Sequence, residues 1–408
     1  HLGIKPLFFS EKNGVFQFAS EIKGILALGH QPKLDLESVG SFFRYLYVPR
    51  PRTIFEGVRE LEPGHMLVLR GGAVSIRRYW TVPAATEHCL LSEAESVEQL
   101  RGLLNETIRM QMDSDVPLGA FLSGGVDSST IVALMARNSS RPIKTFCMTF
   151  GPSEGLYDER EYAQIVARHF STDHTEIPVR PNVVEMLPEV VRHFDEPFGN
   201  PTALLSFALS EQTRKYVTVA LAGDGGDELF LGYPRYQGVR LAEKFRKVPA
   251  VLRHFLAQYV APQLRDSTRG RHVFRRAREF LGEGERSLVD MYTNWIGYFS
   301  TAEIGELLTP GFSPKSSPDD FMLQHLARFE SSNFVDTVNR ADLETFLPSN
   351  LLHYSDRMSM AHSLEVRVPF CDHRLAEFAM SLPVSRKLGF RESKKVLRAA
   401  VADILPHE

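Results

Sequence analysis

The spacing of apolar positions divides the chain into stretches of different rhythm. Close to the start, Leu7-Phe8-Phe9 and Phe16-Gln17-Phe18-Ala19 flank Lys12-Asn13-Gly14. Asn-Gly between apolar runs predicts a β-hairpin, because both turn positions take positive φ. A lone hairpin is marginal in water, so this one implies partner strands from later segments or from outside the chain. Without them Phe8, Phe9, Phe16 or Phe18 would form an exposed edge prone to aggregation. A helix is expected over 36–46, then the turn Val48-Pro49-Arg50-Pro51-Arg52, then short strands over 66–70 and 73–78 joined by Gly71-Gly72. Residues 1–80 thus read as the trailing part of a β-rich domain and 81–92 as a linker. Ser92, with Glu95 three residues on, opens a helix as a capping box.

The rhythm then changes. Val116-Pro117-Leu118-Gly119-Ala120-Phe121-Leu122 is nearly continuous apolar chain, the pattern of a strand buried on both faces. Ser123-Gly124-Gly125-Val126-Asp127 turns it into a helix over 128–136, with Ile131, Leu134 and Met135 on one face. Further strands are expected over 144–150, 174–179 and 217–222, with helices over 158–170, 182–193 and 202–216. Alternation of this kind predicts an α/β fold, a doubly wound parallel sheet. From 247 to 408 the period is mostly helical, which predicts a helical layer over the sheet.

Composition narrows the function classes. A formal net charge of -3 leaves no basic surplus for nucleic acid or an anionic membrane. Cys89, Cys147 and Cys371 are the 3 cysteines; they stand far apart, a poor disulfide or zinc framework that suits a reducing cytoplasm. No apolar run approaches the ~20 residues that span a bilayer.

Chemistry concentrates in two turns. Ser123-Gly124-Gly125-Val126-Asp127-Ser128-Ser129 lies where a strand meets a helix start, so unpaired backbone N–H groups and the helix dipole favour an anion. No lysine follows in the GxxxxGK[ST] manner; an aspartate stands there instead, which points to a magnesium bridge to phosphates. The alternative is a plain strand–helix turn with glycines for geometry and Asp/Ser for capping. A second loop, Ala222-Gly223-Asp224-Gly225-Gly226-Asp227-Glu228, also follows an apolar strand. In a doubly wound sheet both loops lie at strand carboxyl ends near the switch point, so Asp127 and Asp227 are expected to meet over one metal ion and one triphosphate.

These residues carry a resemblance. Ser123–Ser129 is similar to the PP-loop of N-type ATP pyrophosphatases. Gly223–Asp227, Ser355-Asp356-Arg357-Met358-Ser359-Met360 and Glu365-Val366-Arg367-Val368-Pro369-Phe370 narrow the likeness to glutamine-hydrolysing asparagine synthetases. His1-Leu2-Gly3-Ile4-Lys5-Pro6-Leu7 and Phe18-Ala19-Ser20-Glu21-Ile22-Lys23 resemble the end of that family's class II glutaminase domain, leaving 93–408 for the synthetase domain. The resemblance implies a cytoplasmic ligase of amino-acid biosynthesis that takes ATP, Mg2+, aspartate, and glutamine or ammonia, and it leaves a homodimer open as the assembly. It further implies that aspartate is adenylated with release of pyrophosphate, and that ammonia then displaces AMP to give asparagine.

Matched by position, Asp127 and Asp227 would hold magnesium, and Ser123, Gly124, Gly125, Ser128 and Ser129 would cradle pyrophosphate together with Asp127. Phe121, Met148 and Gly223 would contact the adenosine, although Met148 also reads as a core residue. Lys394, in Ser393-Lys394-Lys395-Val396-Leu397-Arg398, matches a lysine facing the reacting phosphorus; a solvated basic helix face is the other reading, and Lys395 the register alternative. Asp224 would take a proton from the incoming amine or merely order its loop. Glu365 and Arg367 alternate on one face of an extended segment, for substrate recognition or as a structural ion pair. Asp356 and Arg357 share that ambiguity. The cysteine nucleophile of glutaminases is expected before His1, and the family's last segment beyond Glu408, so the chain reads as part of a longer protein, ammonia-dependent at best on its own. Two other readings are a relative that adenylates a different carboxylate (a β-lactam precursor, a lasso peptide or a sugar acid) and a nucleotide-binding regulator without turnover.

Overall fold

The computed structural model describes residues 1–29, 31–83, 91–150, 159–179, 182–264, 273–390 and 392–406. Cys89, most of the expected linker, the start of the helix expected from 158 and the last two residues lie outside them.

The hairpin forms as expected: β1 (Phe8–Lys12) pairs antiparallel with β2 (Val15–Ala19), and Asn13 and Gly14 turn at φ 52° and 75°. Its missing partner comes from within the chain. A third strand, β3 (Val58–Glu60), pairs with the other side of β1 to give the order β2-β1-β3. The helix α1 (Ile22–Ala27) then covers Phe8 with Ile22 and Ile25. Phe8 and Phe9 are therefore buried, and the exposed apolar residues of the edge strand are Val15 and Phe18. The expectation of an open edge at Phe8 and Phe9 is corrected: three residues of β3, too short to show an apolar alternation, supply the pairing. α2 (Leu36–Tyr45) starts on the side chain of Asp35, which accepts the N–H of Glu37. β4 (His65–Arg70) and β5 (Ala73–Arg78) form a separate two-stranded ribbon.

α3 (Glu93–Gln111) opens on the expected capping box of Ser92 and Glu95, worth about 1 kcal/mol. Beyond it stands a five-stranded parallel sheet of order β10-β9-β6-β7-β8. Its strands are β6 (Leu118–Phe121), β7 (Lys144–Thr149), β8 (Asp173–Pro178), β9 (Val219–Leu221) and β10 (Glu365–Arg367). The connecting helices are α4 (Val126–Arg137), α5 (Arg160–His169), α6 (Val183–Phe194) and α7 (Thr202–Thr213). The chain builds outward from β6 through β7 to β8, then returns to lay β9 on the other side of β6. That reversal opens a crevice at the carboxyl ends of β6 and β9. Ile131, Val132, Met135, Phe146, Ala220 and Leu221 are all buried beneath it; each such side chain contributes roughly 1–3 kcal/mol, which makes the strand ends a firm base for loops.

The β-rich lobe meets the α/β part through buried charge. Within the β-rich lobe Arg50 Nη2 lies 2.8 Å from Glu60 Oε1, and across to the α/β part the Ile54 N–H donates to the buried Glu196 Oε2 at 2.8 Å. Asp356 pairs with Lys5, and Arg357 lies over the Phe8 ring, 3.5 Å from Glu21. Both residues of that motif therefore join the two lobes.

Candidate active site

The first loop is built from its own atoms. Gly125 caps α4, so the first-turn N–H groups of that helix have no intrahelical partner and face the crevice mouth. Ser128 Oγ accepts the Ser123 N–H at 3.2 Å, lies 3.0 Å from Ser123 Oγ, and donates to the Gly125 carbonyl at 3.1 Å. The Gly125 N–H donates to Ser123 Oγ at 3.3 Å. Ser128, expected as a pyrophosphate donor, is thus the buckle that shapes the loop, whereas the buried Ser129 Oγ has no partner. Gly124 sits at φ 81°, and a Cβ there would meet Tyr162 and Ala163 of α5; only glycine lets the loop lie this close to that helix.

The second loop is buried and acidic. It continues into α8 (Gly226–Leu229), one turn of helix that carries Asp227 and Glu228. The two loops touch: a Cβ on Gly223 would stand 3.1 Å from Asp127 Cβ, and one on Gly226 would come within 2.5 Å of Asp127 Cγ. Asp127 and Asp227 share one cation, since Lys394 Nζ lies 2.5 Å from Asp127 Oδ2 and 2.7 Å from Asp227 Oδ1. Lys394 is itself buried at the left-handed residue (φ 56°) that begins the helix Lys395–Val401, and its N–H donates to the Phe230 carbonyl at 3.2 Å. Lys395 points elsewhere, to Glu93 at 2.7 Å, so the register at this pair falls on Lys394.

Electrostatics follow from that burial. Desolvation pushes the Asp127 carboxyl up to about 6; Lys394 opposes the rise and Asp227 adds to it. The Lys394 ammonium, although desolvated, is held above its ordinary value by the two aspartates. Burial also raises Asp224, which accepts the Ser355 hydroxyl at 2.8 Å. Glu228 is raised further, to about 8, by burial; one oxygen accepts from Tyr233 at 2.8 Å and the other has no partner.

The donor set fits a magnesium ion. Asp127 Oδ1 is buried with no hydrogen-bond partner, while the other oxygen of the same carboxylate shares the Lys394 ammonium with Asp227. Magnesium is commonly held by one or two carboxylates plus substrate phosphates rather than by a full protein cage. The described residues contain no cluster of three or more acidic, histidine or cysteine side chains arranged for a metal.

Phe121 and Met148 end up partly buried on the adjacent strands β6 and β7, packed against the core at the crevice's side. Glu365 and Arg367 lie on the edge strand β10 and are not joined to this cluster. Arg367 Nε is 2.7 Å from Glu365, and its Nη1 donates to the carbonyls of Gln111 and Asp113 at 2.8 and 2.7 Å. The ion pair named as one of the two readings is present, and Arg367 is further anchored at and just past the end of α3. Sequence reasoning assigned nothing to Glu228, Tyr233, Asn339 or Ser355 as supports of the acidic loop, although Glu228 and Ser355 lay within quoted motifs.

Comparison with known proteins places the site in a family. The family model described as asparagine synthase matches residues 99–408, and that of a glutamine amidotransferase domain matches residues 1–80. Asparagine synthetase (glutamine-hydrolyzing) 1 of Bacillus subtilis is 30% identical across 99% of the chain, and a putative asparagine synthetase (glutamine-hydrolyzing) of Mycobacterium bovis 32% across 99%. The chain spans 62% and 61% of the length of these two relatives. An amidase, chyE of Penicillium rubens, is 26% identical over 100% of the chain and 64% of its own length. With a family model that runs across both loops and Lys394 alike, the chain belongs to the asparagine synthase family.

Proposed function

We propose that the crevice joins ammonia to a carboxylate at the expense of ATP, with aspartate as the carboxylate and asparagine as the product. The observation that carries this is the single ammonium of Lys394 shared by Asp127 and Asp227 beside a glycine-rich helix start. Asp127 and Asp227 would hold magnesium, which when bound would offset the negative charge of the phosphates. The first-turn N–H groups of α4 and the Ser129 hydroxyl hold the pyrophosphate portion. Phe121, Met148 and Gly223 flank the adenosine. Lys394 is drawn from the carboxylates toward the phosphates as the nucleotide enters, because a triphosphate presents more negative charge than the pair it leaves.

One carboxylate oxygen of aspartate attacks the α-phosphorus; the bond from that phosphorus to the bridging oxygen breaks, and pyrophosphate leaves with the electron pair. Ammonia then adds to the acyl carbon and AMP departs with the oxygen that had attacked. The proton lost by nitrogen passes to Asp224, whose raised carboxyl is suited to take it. Glutamine is the proposed ammonia source. We further propose 1–80 as a glutaminase-derived unit, 81–92 as the linker and 93–408 as the synthetase unit, working in the cytoplasm as a homodimer.

Pyrophosphate release from ATP tests the reading, with magnesium, ammonium and a panel of carboxylates. Dependence on aspartate supports it. The amidase among the relatives favours one second reading, the same adenylation of a different carboxylate, and dependence on another acid would select that. Nucleotide binding without release under any condition would overturn both.

A further inference from the structure

Among the described residues one lysine is fully buried, sits outside the cluster just described and has no carboxylate bonded to it. Lys387 is 0% exposed. Its Nζ donates to Asn339 Oδ1 at 3.3 Å and lies 3.8 Å from Met380 Sδ. The nearest carboxylate influence is Asp336, which is 3.8 Å from Arg340. Burial lowers the ammonium to about 8. An ammonium in such a place is costly unless its hydrogen bonds matter, and a methionine or leucine would fill the same space at less cost.

The position of Lys387 in the chain suggests what those bonds do. Asn339 is also fully buried, and its Nδ2 donates to the Glu228 carbonyl at 2.6 Å, within the α8 turn that carries Asp227. Lys387 in turn ends the short helix Val384–Lys387 that leads into the loop bearing Lys394. That loop is clamped from one further side: in α9 (Pro234–Phe245), Arg240 donates to the Leu388 carbonyl and Gln237 to the Gly389 carbonyl, both at 2.9 Å. Lys394 finally returns to α8 through its N–H on the Phe230 carbonyl. Lys387 and Asn339 thus connect the base of the Lys394 loop to the base of the Asp227 turn, and the two tips meet at 2.7 Å.

We propose that Lys387 is a positioning residue, holding the Lys394 loop and the α8 turn in register through Asn339 so that ammonium and carboxylates converge on one phosphate group. The proposal rests on the reading above only in taking Lys394 and Asp227 as the groups that meet the phosphates. Small displacements at such a site are costly, since an error near 1 Å lowers rates about a hundredfold.

The test is calorimetric binding of inorganic pyrophosphate with magnesium, which needs no acceptor carboxylate and therefore stands apart from the choice of substrate. Lys387→Met should weaken binding about tenfold, with thermal unfolding still cooperative. In a Lys394→Met background the same substitution should change binding less than twofold, because the register it sets no longer has a lysine to place. Asn339→Asp gives a second route: it keeps a partner, now charged, for the buried ammonium and removes only the donor to Glu228, so it should reproduce the loss if Lys387→Met does not fold. Lys395→Met, at the start of the helix Lys395–Val401 and paired with Glu93 instead of the crevice, should leave binding unchanged. Equal losses from Lys387→Met in both backgrounds would reduce Lys387 to general structural support and overturn the proposal, as would wild-type binding in Lys387→Met or in Asn339→Asp. If pyrophosphate fails to bind the wild-type protein, the reading of the crevice falls first, and this proposal with it.

Discussion

The loops after β6 and β9 leave neighbouring strands at the same end of the sheet, yet they are held by different kinds of partner. The first is closed by serines five or fewer residues apart, with Ser128 bonded to Ser123 and Gly125. The second is held from a distance: Ser355 reaches Asp224, Asn339 reaches the Glu228 carbonyl, and Lys394 bridges Asp227 to Asp127. A loop that offers main-chain N–H groups to an anion can be self-contained, because its dipoles come from the helix it begins. Close-set carboxylates repel, and burial raises their cost, so they need cations and donors from elsewhere in the fold.

Substitutions at the centre should have the largest effect. Asp127→Ala or Asp227→Ala should lower pyrophosphate release about a thousandfold with secondary structure retained by circular dichroism. A glycine pair separates the loops more sharply. Gly226→Ala drives a Cβ into the Asp127 carboxylate and should cost about a hundredfold in rate, whereas Gly125→Ala, where the nearest atom is Ser123 Oγ at 3.4 Å, should stay within a few fold. If Gly125→Ala proved the worse, the close approach to Asp127 would not be what sets the second loop apart, and the contrast would be reversed.

Hydroxyl deletions probe the supports. Ser355→Ala should slow amide formation about tenfold while leaving the first burst of pyrophosphate intact, since it disturbs the proton acceptor Asp224 and not the phosphates. Ser128→Ala loosens the phosphate loop, so a few-fold rise in KM for ATP is expected in steady-state kinetics.

The smallest effect is expected away from both loops. Burial raises Glu196 from 4.5 to about 8. A folded value above the unfolded one means that the wild-type protein loses stability as pH climbs from about 4.5 through about 8, where this carboxyl ionises. Glu196→Gln has no such proton to lose. Its melting temperature relative to wild type should therefore rise by a few degrees between pH 5 and pH 8.5 in calorimetric scans. A flat difference would mean that the carboxyl is solvated.

The same contrast explains what was legible in the sequence. The hairpin, the capping box at Ser92, the strand–loop–helix of the phosphate loop and the parallel sheet all rest on contacts within a few residues or on apolar period, and both survive in a linear reading. α1 and β3 are six and three residues long, too short to show a period. Apart from Tyr233, the supports of the acidic loop come from residues over 100 positions away, and nothing in the local sequence of Asn339 or Lys387 marks either as buried beneath Asp227. Glu365 and Arg367 were legible as a pair on one face, but the carbonyls of Gln111 and Asp113 that accept from Arg367 were not.

The central claim is that a carboxylate attacks the α-phosphorus of ATP in this crevice. Aspartate labelled with 18O in its side-chain carboxylate tests it most directly, with AMP recovered after turnover with ammonium. The account predicts one labelled oxygen in the AMP phosphate and unlabelled pyrophosphate. Label in inorganic phosphate alongside ADP, or turnover that leaves AMP unlabelled, would contradict it.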